Sequence, residues 1–268
     1  IFNSDGSQAE LSGNGSRIFA RYLMDAGYIV EAVRQNFSIA ALASDQRQIR
    51  IDVTAESSLG AEIFTAIRVA PLFGARAVGA IENAVWQNGA GHTVSALADI
   101  GRRKGQAGGS AWLDSSLISI GNPHCVTFVT SAGFLPSIQF LKQQQDELSL
   151  VADAPSQGSA NPVFTHGCNL QWCFVESRRR IHLRIVERGE GPTLASGSSA
   201  LAATIAAFKR GLIDRQVTVV MPGGSLTVTL SIHQDEITSA GLSAVACKLA
   251  DIKMSASMEG SLASLEPG

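Results

Sequence analysis

The stretch Glu187-Arg188-Gly189-Glu190-Gly191-Pro192-Thr193-Leu194-Ala195-Ser196-Gly197-Ser198-Ser199-Ala200 decides how the chain is read. Ahead of it, residues 181–186 alternate apolar and polar side chains, the pattern of a half-buried strand. Two glycines then mark a loop, and Ser196-Gly197-Ser198-Ser199 opens an Ala-rich helix that runs to about Arg210 and stops at Gly211. Such a helix start presents backbone N–H groups without intrahelical partners and the positive end of a dipole, which suits a carboxylate or phosphate. A similar element occurs near the front, where Asp5-Gly6-Ser7-Gln8-Ala9-Glu10-Leu11-Ser12-Gly13-Asn14-Gly15-Ser16 leads into a helix over residues 14–26 closed by Gly27. Two anion-seeking helix starts in one chain predict two halves facing one ligand.

The 268 residues suffice for two cores of ordinary size, and the recurring Ser-Gly element favours a division into residues 1–112 and 113–268. A net charge of −2 offers no basic surface for nucleic acid or an anionic membrane. No apolar run has membrane-spanning length and no signal peptide is visible, so a cytoplasmic location is expected. The four cysteines, Cys125, Cys168, Cys173 and Cys247, have no CxxC spacing and read as reduced thiols. His92, His166, His182 and His233 show no ligand spacing, and no metal is expected.

Along the chain, residues 38–43 and 49–53 read as strands, while residues 56–109 blur into Ala- and Gly-rich sequence with short strand candidates around 63–69 and 75–80. Residues 105–109 read as a flexible connection. A strand over 117–120 is expected to stop at Gly121-Asn122-Pro123-His124-Cys125 before another over 126–129, followed by a helix around 135–148. Residues 168–175 alternate as a strand, and Arg178-Arg179-Arg180 reads as a solvated hairpin end. Strands over 217–221 and 226–232 flank the turn Pro222-Gly223-Gly224, a last strand is placed at 245–249, and residues 255–268 read as a fraying tail. Many short strands with one principal helix in each half indicate an α+β fold.

Three blocks carry a resemblance. The sequence DGS at 5–7 with GNG at 13–15, GNPHC at 121–125, and ERGxGxTxAxG over 187–197 together resemble the diaminopimelate epimerase family of pyridoxal-phosphate-independent epimerases and racemases. The resemblance implies two pseudo-symmetric domains, each a rolled, mostly antiparallel, barrel-like sheet around a central helix, with the ligand cleft between them. It implies no cofactor, an amino acid as small-molecule substrate, and a possible homodimer. The implied reaction uses two bases on opposite faces of the substrate, one removing the α-proton and the other supplying a new one. The helix starts take up charge as the carbanion develops, which matters where no cofactor serves as electron sink.

Position by position, Asn3, Asn122, Asn169 and Arg188 match the family's contacts to the far end of the substrate, where Arg can hold a carboxylate with two parallel hydrogen bonds. Gly13, Asn14, Gly197 and Ser198 match the α-carboxylate cradle. His124 and Glu187 match the groups that assist the two bases, Glu187 also meeting the α-amino group. Where the family has its two cysteines, this chain has Ser12 and Ser196. A free thiol titrates near about 8.5 and is tunable downward, whereas a hydroxyl is several units less acidic. A shortfall of about 4 kcal/mol in the barrier slows proton abstraction roughly a thousandfold, so impaired epimerisation is expected. The resemblance implies a front segment, a strand with a GNDF-like motif and further substrate contacts, that the sequence from Ile1 onward does not contain, so the first half is expected to lack its first strands.

Local sequence supports plainer roles as well. Ser12 and Ser196 suit helix N-caps, the three asparagines and His124 suit turns, and Glu187-Arg188 suits a solvated strand end. The same residues suit two functional classes besides an epimerase. One is a carboxylate-binding protein without turnover, and the other is a relative that dehydrates a hydroxy-amino acid.

Overall fold

The computed structural model describes residues 13–28, 36–40, 48–57, 60–68, 90–109, 112–120, 122–152 and 167–246. Asn3 and Ser12 lie outside the described residues, as do the strand candidate at 75–80 and the tail at 255–268. The first part contains helix α1 (Gly13–Asp25), strands β1 (Asn36–Ala40), β2 (Gln48–Ser57) and β3 (Gly60–Arg68), and helix α2 (Ala90–Arg103). There follow β4 (Ser115–Ser119), β5 (Pro123–Val129), a 3-10 turn at Ala132–Phe134, α3 (Ile138–Gln143) and α4 (Gln145–Ala152). The remainder is β6 (Asn169–Ser177), β7 (Arg180–Glu187), β8 (Gly191–Thr193), α5 (Gly197–Lys209), β9 (Gln216–Met221), β10 (Gly224–His233) and β11 (Glu236–Ala246).

The described strands form one sheet in the order β1-β2-β3-β11-β10-β9-β7-β6-β5-β4, with β8 attached to β7. Its ladders are antiparallel except β5 with β6 and β7 with β9. The α+β class expected from the sequence is therefore the one observed.

The sheet curls round α5, because strand parity sends alternate side chains to that helix. His124, Val126 and Phe128 of β5, Asn169, Gln171 and Cys173 of β6, and Ile181, Leu183 and Ile185 of β7 share the parity of the inner face. Every residue of α5 from Gly197 to Ala207 is buried, and its alanines let the surrounding strands approach closely. The opposite parity, with Cys125, Leu170, Trp172 and Val186, builds a second core under α2, α3 and α4. At its far end α5 is tied down by Arg210, whose guanidinium stacks 4.1 Å from the Phe128 ring and donates to Ser116 Oγ and Asp114 Oδ1, each at 2.8 Å.

Helix α1 and its closing glycine agree with the sequence reading, Gly27 adopting φ +74°. On this helix Ile18, Phe19 and Tyr22 are exposed and Ala20 is fully buried, and the helix leans on β2, β3, β11 and α5. Four further expectations are corrected. His124 and Cys125 belong to a strand, since β5 starts at Pro123, the one strand position where a missing N–H costs least. The helix expected over 135–148 is two helices meeting at Gln144. The blurred region contains a full helix, α2. The strand expected over 245–249 begins earlier: β11 starts at Glu236, pairs with both β10 and β3 and includes Val245 and Ala246, while residues 247–249 lie outside the described residues. The Arg178-Arg179 turn is a solvated hairpin end, with both side chains on Asp214.

Candidate active site

The site is assembled from the start of β5, the start of β6, the turn after β7 and the first turn of α5. The β7–β8 turn needs its glycines, because Gly189 and Gly191 take φ +79° and +78°, a region other residues enter at a cost. The loop that follows is buttressed from outside, Gly223 N donating to Leu194 O at 2.8 Å. It delivers Ser196 as the N-cap of α5, with extended backbone (φ −148°, ψ 126°). The Ser196 hydroxyl accepts from Ser199 N at 3.3 Å and lies 3.3 Å from Ser198 Oγ. Gly197 and Ser198 thus occupy the first turn, where backbone N–H groups have no intrahelical acceptor.

His124 is wholly buried beside this turn. Its Nε2 lies 3.0 Å from Asn122 Oδ1 and its Nδ1 lies 2.9 Å from Gln171 Nε2, which in turn donates to Ser199 Oγ at 3.1 Å. A continuous polar chain therefore runs from half-buried Asn122 through the buried His124, Gln171 and Ser199 to Ser196 and Ser198. Burial holds the imidazole down to about 3 despite the hydrogen bond to Gln171, and the positive charge of Arg188 adds to the depression. His124 is a neutral ring at physiological pH.

Asn169 joins the two loops. It donates through Nδ2 to Pro123 O at 3.2 Å and accepts from Arg188 N at 3.1 Å, so it fixes the backbone at both Pro123 and Arg188. Arg188 and Glu187 are half-buried at the β7–β8 turn. Asn122, His124, Asn169, Arg188, Ser196, Gly197 and Ser198 are thus brought to one end of the sheet, with Glu187 next to Arg188. Gly13 and Asn14 open α1 as helix residues. Sequence reasoning missed Gln171 and Ser199, both buried and both inside the network. The signal for Gln171 is its parity: it is two residues from Asn169 on a strand whose neighbouring positions are buried.

The region 116–244 matches the family model for diaminopimelate epimerase. A diaminopimelate epimerase from Desulfitobacterium hafniense is 30% identical over 236 residues, covering 85% of this chain and 68% of the relative. One from Ralstonia nicotianae is 31% identical over 245 residues, covering 90% of this chain and 71% of the relative.

The chain belongs to the diaminopimelate epimerase family.

Membership explains why the three motif blocks of the sequence fall in one order, and it places the chain among pyridoxal-phosphate-independent epimerases and racemases. Solved structures share the fold with this family member at low identity. A phenazine biosynthesis protein of the PhzF family from Bacillus anthracis superposes with a TM-score of 0.53 at 14% identity, covering 91% of this chain and 76% of its own. A hydroxyproline epimerase from Agrobacterium vitis with bound trans-4-hydroxy-L-proline gives a TM-score of 0.53 at 10% identity, covering 90% and 66%. Among the described residues of this epimerase-family chain, no helix is long and apolar enough to cross a membrane.

Proposed function

We propose that the chain binds an amino acid by its α-carboxylate at the first turn of α5, with Ser12, Gly13 and Asn14 supplying the opposing turn. Bound there, the substrate undergoes cofactor-independent epimerisation at Cα, at a rate cut by serine at both base positions. The observation that carries this reading is the buried chain linking His124 to Ser196 through Gln171 and Ser199. It joins the GNPHC block to the helix start in a member of an epimerase family. Gly197 and Ser198 present N–H groups to the carboxylate, and Arg188 with Asn3, Asn122 and Asn169 addresses the far end of the substrate. Ser196 and Ser12 stand on opposite faces of Cα, with Glu187 at the α-amino group.

A neutral His124 fits this assignment as a polar partner, not as a base strong enough to ionise a serine hydroxyl. The finer architecture belongs to the same proposal: residues 1–112 and 113–268 as pseudo-symmetric domains, each rolled round its own helix with the cleft between them. So does its setting, a cytoplasmic homodimer acting on diaminopimelate in lysine biosynthesis.

Deuterium uptake at Cα of diaminopimelate in heavy water tests the chemistry, alongside calorimetric titration of the same ligand. Binding with exchange at least a hundredfold slower than in Ser12→Cys/Ser196→Cys is the expected result. Absence of binding to both forms overturns the reading. A second reading, carboxylate binding without turnover, is favoured by the Ser196 hydroxyl already serving as a helix cap. Binding with no exchange even after both cysteines are introduced selects it.

A further inference from the structure

Gln171 links His124 to the start of α5 in the reading above, and it is the member of the network that holds the others together. It is 1% exposed, on a strand paired on both sides, with Val126 opposite it on β5 and Ile185 opposite it on β7. Its Nε2 carries two hydrogens and faces two groups, His124 Nδ1 at 2.9 Å and Ser199 Oγ at 3.1 Å. A carboxamide nitrogen donates and does not accept, so the ring nitrogen it faces presents a lone pair. A ring proton on Nε2 then has Asn122 Oδ1 as its acceptor at 3.0 Å. Both nitrogens of the imidazole are thereby specified by neighbours on two different segments.

We propose that Gln171 is a positioning residue that holds His124 as the Nε2–H tautomer and ties the ring to the first turn of α5. Its two amide hydrogens are shared between the imidazole and Ser199, one helical residue inside the turn that Ser196 caps. Rotation of the ring, or its adoption of the other tautomer, breaks the bond to Gln171 and turns a hydrogen toward a hydrogen. The consequence for the proposed reaction is directional: Nε2–H faces Asn122, and Nδ1 faces Gln171 and, through it, the first turn of α5. The inference rests on the proposed site only for its functional meaning, since the tautomer is a property of the protein without substrate.

The test is two-bond proton–nitrogen correlation spectroscopy of the full chain labelled with nitrogen-15, the His124 signals being assigned by their loss in His124→Gln. In the unmodified protein Nδ1 is expected in the unprotonated range and Nε2 in the protonated range. In Gln171→Glu a carboxylate accepts where the amide donated, so the pattern inverts and Nδ1 moves to the protonated range. A space-filling role for Gln171 does not predict that inversion. In Gln171→Leu only Asn122 Oδ1 still specifies the ring, so the Nδ1 signal moves toward the value of an unprotonated imidazole nitrogen without a hydrogen bond. A protonated Nδ1 in the unmodified protein overturns the proposal, as does an unchanged pattern in folded Gln171→Glu. Should the variants not fold, the unmodified protein alone decides. Inversion without any Cα exchange in Ser12→Cys/Ser196→Cys supports the positioning role while removing the catalytic reading, so the two stand or fall separately.

Discussion

His124 carries a consequence for acid stability at the scale of a single residue. Its folded pKa of about 3 lies below the ordinary value of 6.5, so the unfolded chain binds a proton that the folded chain refuses. Its contribution to stability is intact above pH 6.5 and is lost as pH falls from there toward 3, with a slope approaching about 1.4 kcal/mol per pH unit. Urea unfolding at pH 7 and pH 5 checks this, and His124→Gln is expected to lose less stability across that interval than the unmodified protein. The thiols obey the same physics with the opposite charge. Burial pushes Cys125 to about 12 against hydrogen bonds from Ser115 and Thr127, pushes Cys173 to about 12, and raises Cys168 well above the usual thiol range. None of the three forms a disulfide. At pH 8 they are expected to resist iodoacetamide in the folded protein and to react fully in urea, as mass spectrometry of labelled peptides would record. The site's side chains were legible where a motif surrounds them, as at His124, Arg188 and Ser196. Gln171 and Ser199 were not, because a polar residue announces its partner only when a neighbouring strand or helix is in place.

Elements were legible where periodicity and punctuation agree, and illegible where packing overrides them. The strand over 181–186, the α5 start and the Pro222-Gly223 turn all have both signals, and the structure has β7, α5 and the β9–β10 hairpin there. Helix α2 was obscured by its glycines. One of them, Gly101, is required by contact: a Cβ there would stand 2.6 Å from Gly109 Cα and 2.9 Å from the Trp112 ring. Alanine would favour the helix by about 1 kcal/mol, yet overpacking in a closed contact costs about 1–3 kcal/mol. Gly101→Ala is therefore expected to be destabilising on balance, measured as a lower urea midpoint by tryptophan fluorescence. The β10–β11 hairpin was hidden for a different reason. Its turn residues Gln234 and Asp235 take φ +50° and +62° without a glycine between the strands, so the usual hairpin signal is missing. Small residues such as Ala240 and Gly241 further weaken the alternation along β11.

The whole molecule is organised by β11, which has β10 on one side and β3 on the other. Leu242 sits opposite Val228 on β10 and Thr65 on β3, and its side chain is fully buried in the core around α5. Leu242→Ala is expected to cost about 2–5 kcal/mol. Hydrogen exchange should then accelerate in β3 together with β10, because the two ladders share one strand. Unchanged exchange in β3 would show that the sheet is not cooperative across that seam. The same ladder sets a schedule for the nascent polypeptide. More than half of the chain separates Arg68 from Glu236, so on the ribosome β3 emerges long before the strand that completes it. Through that interval its outer edge is open to pairing with other unfinished chains, which makes early engagement by a chaperone advantageous and slow synthesis a hazard.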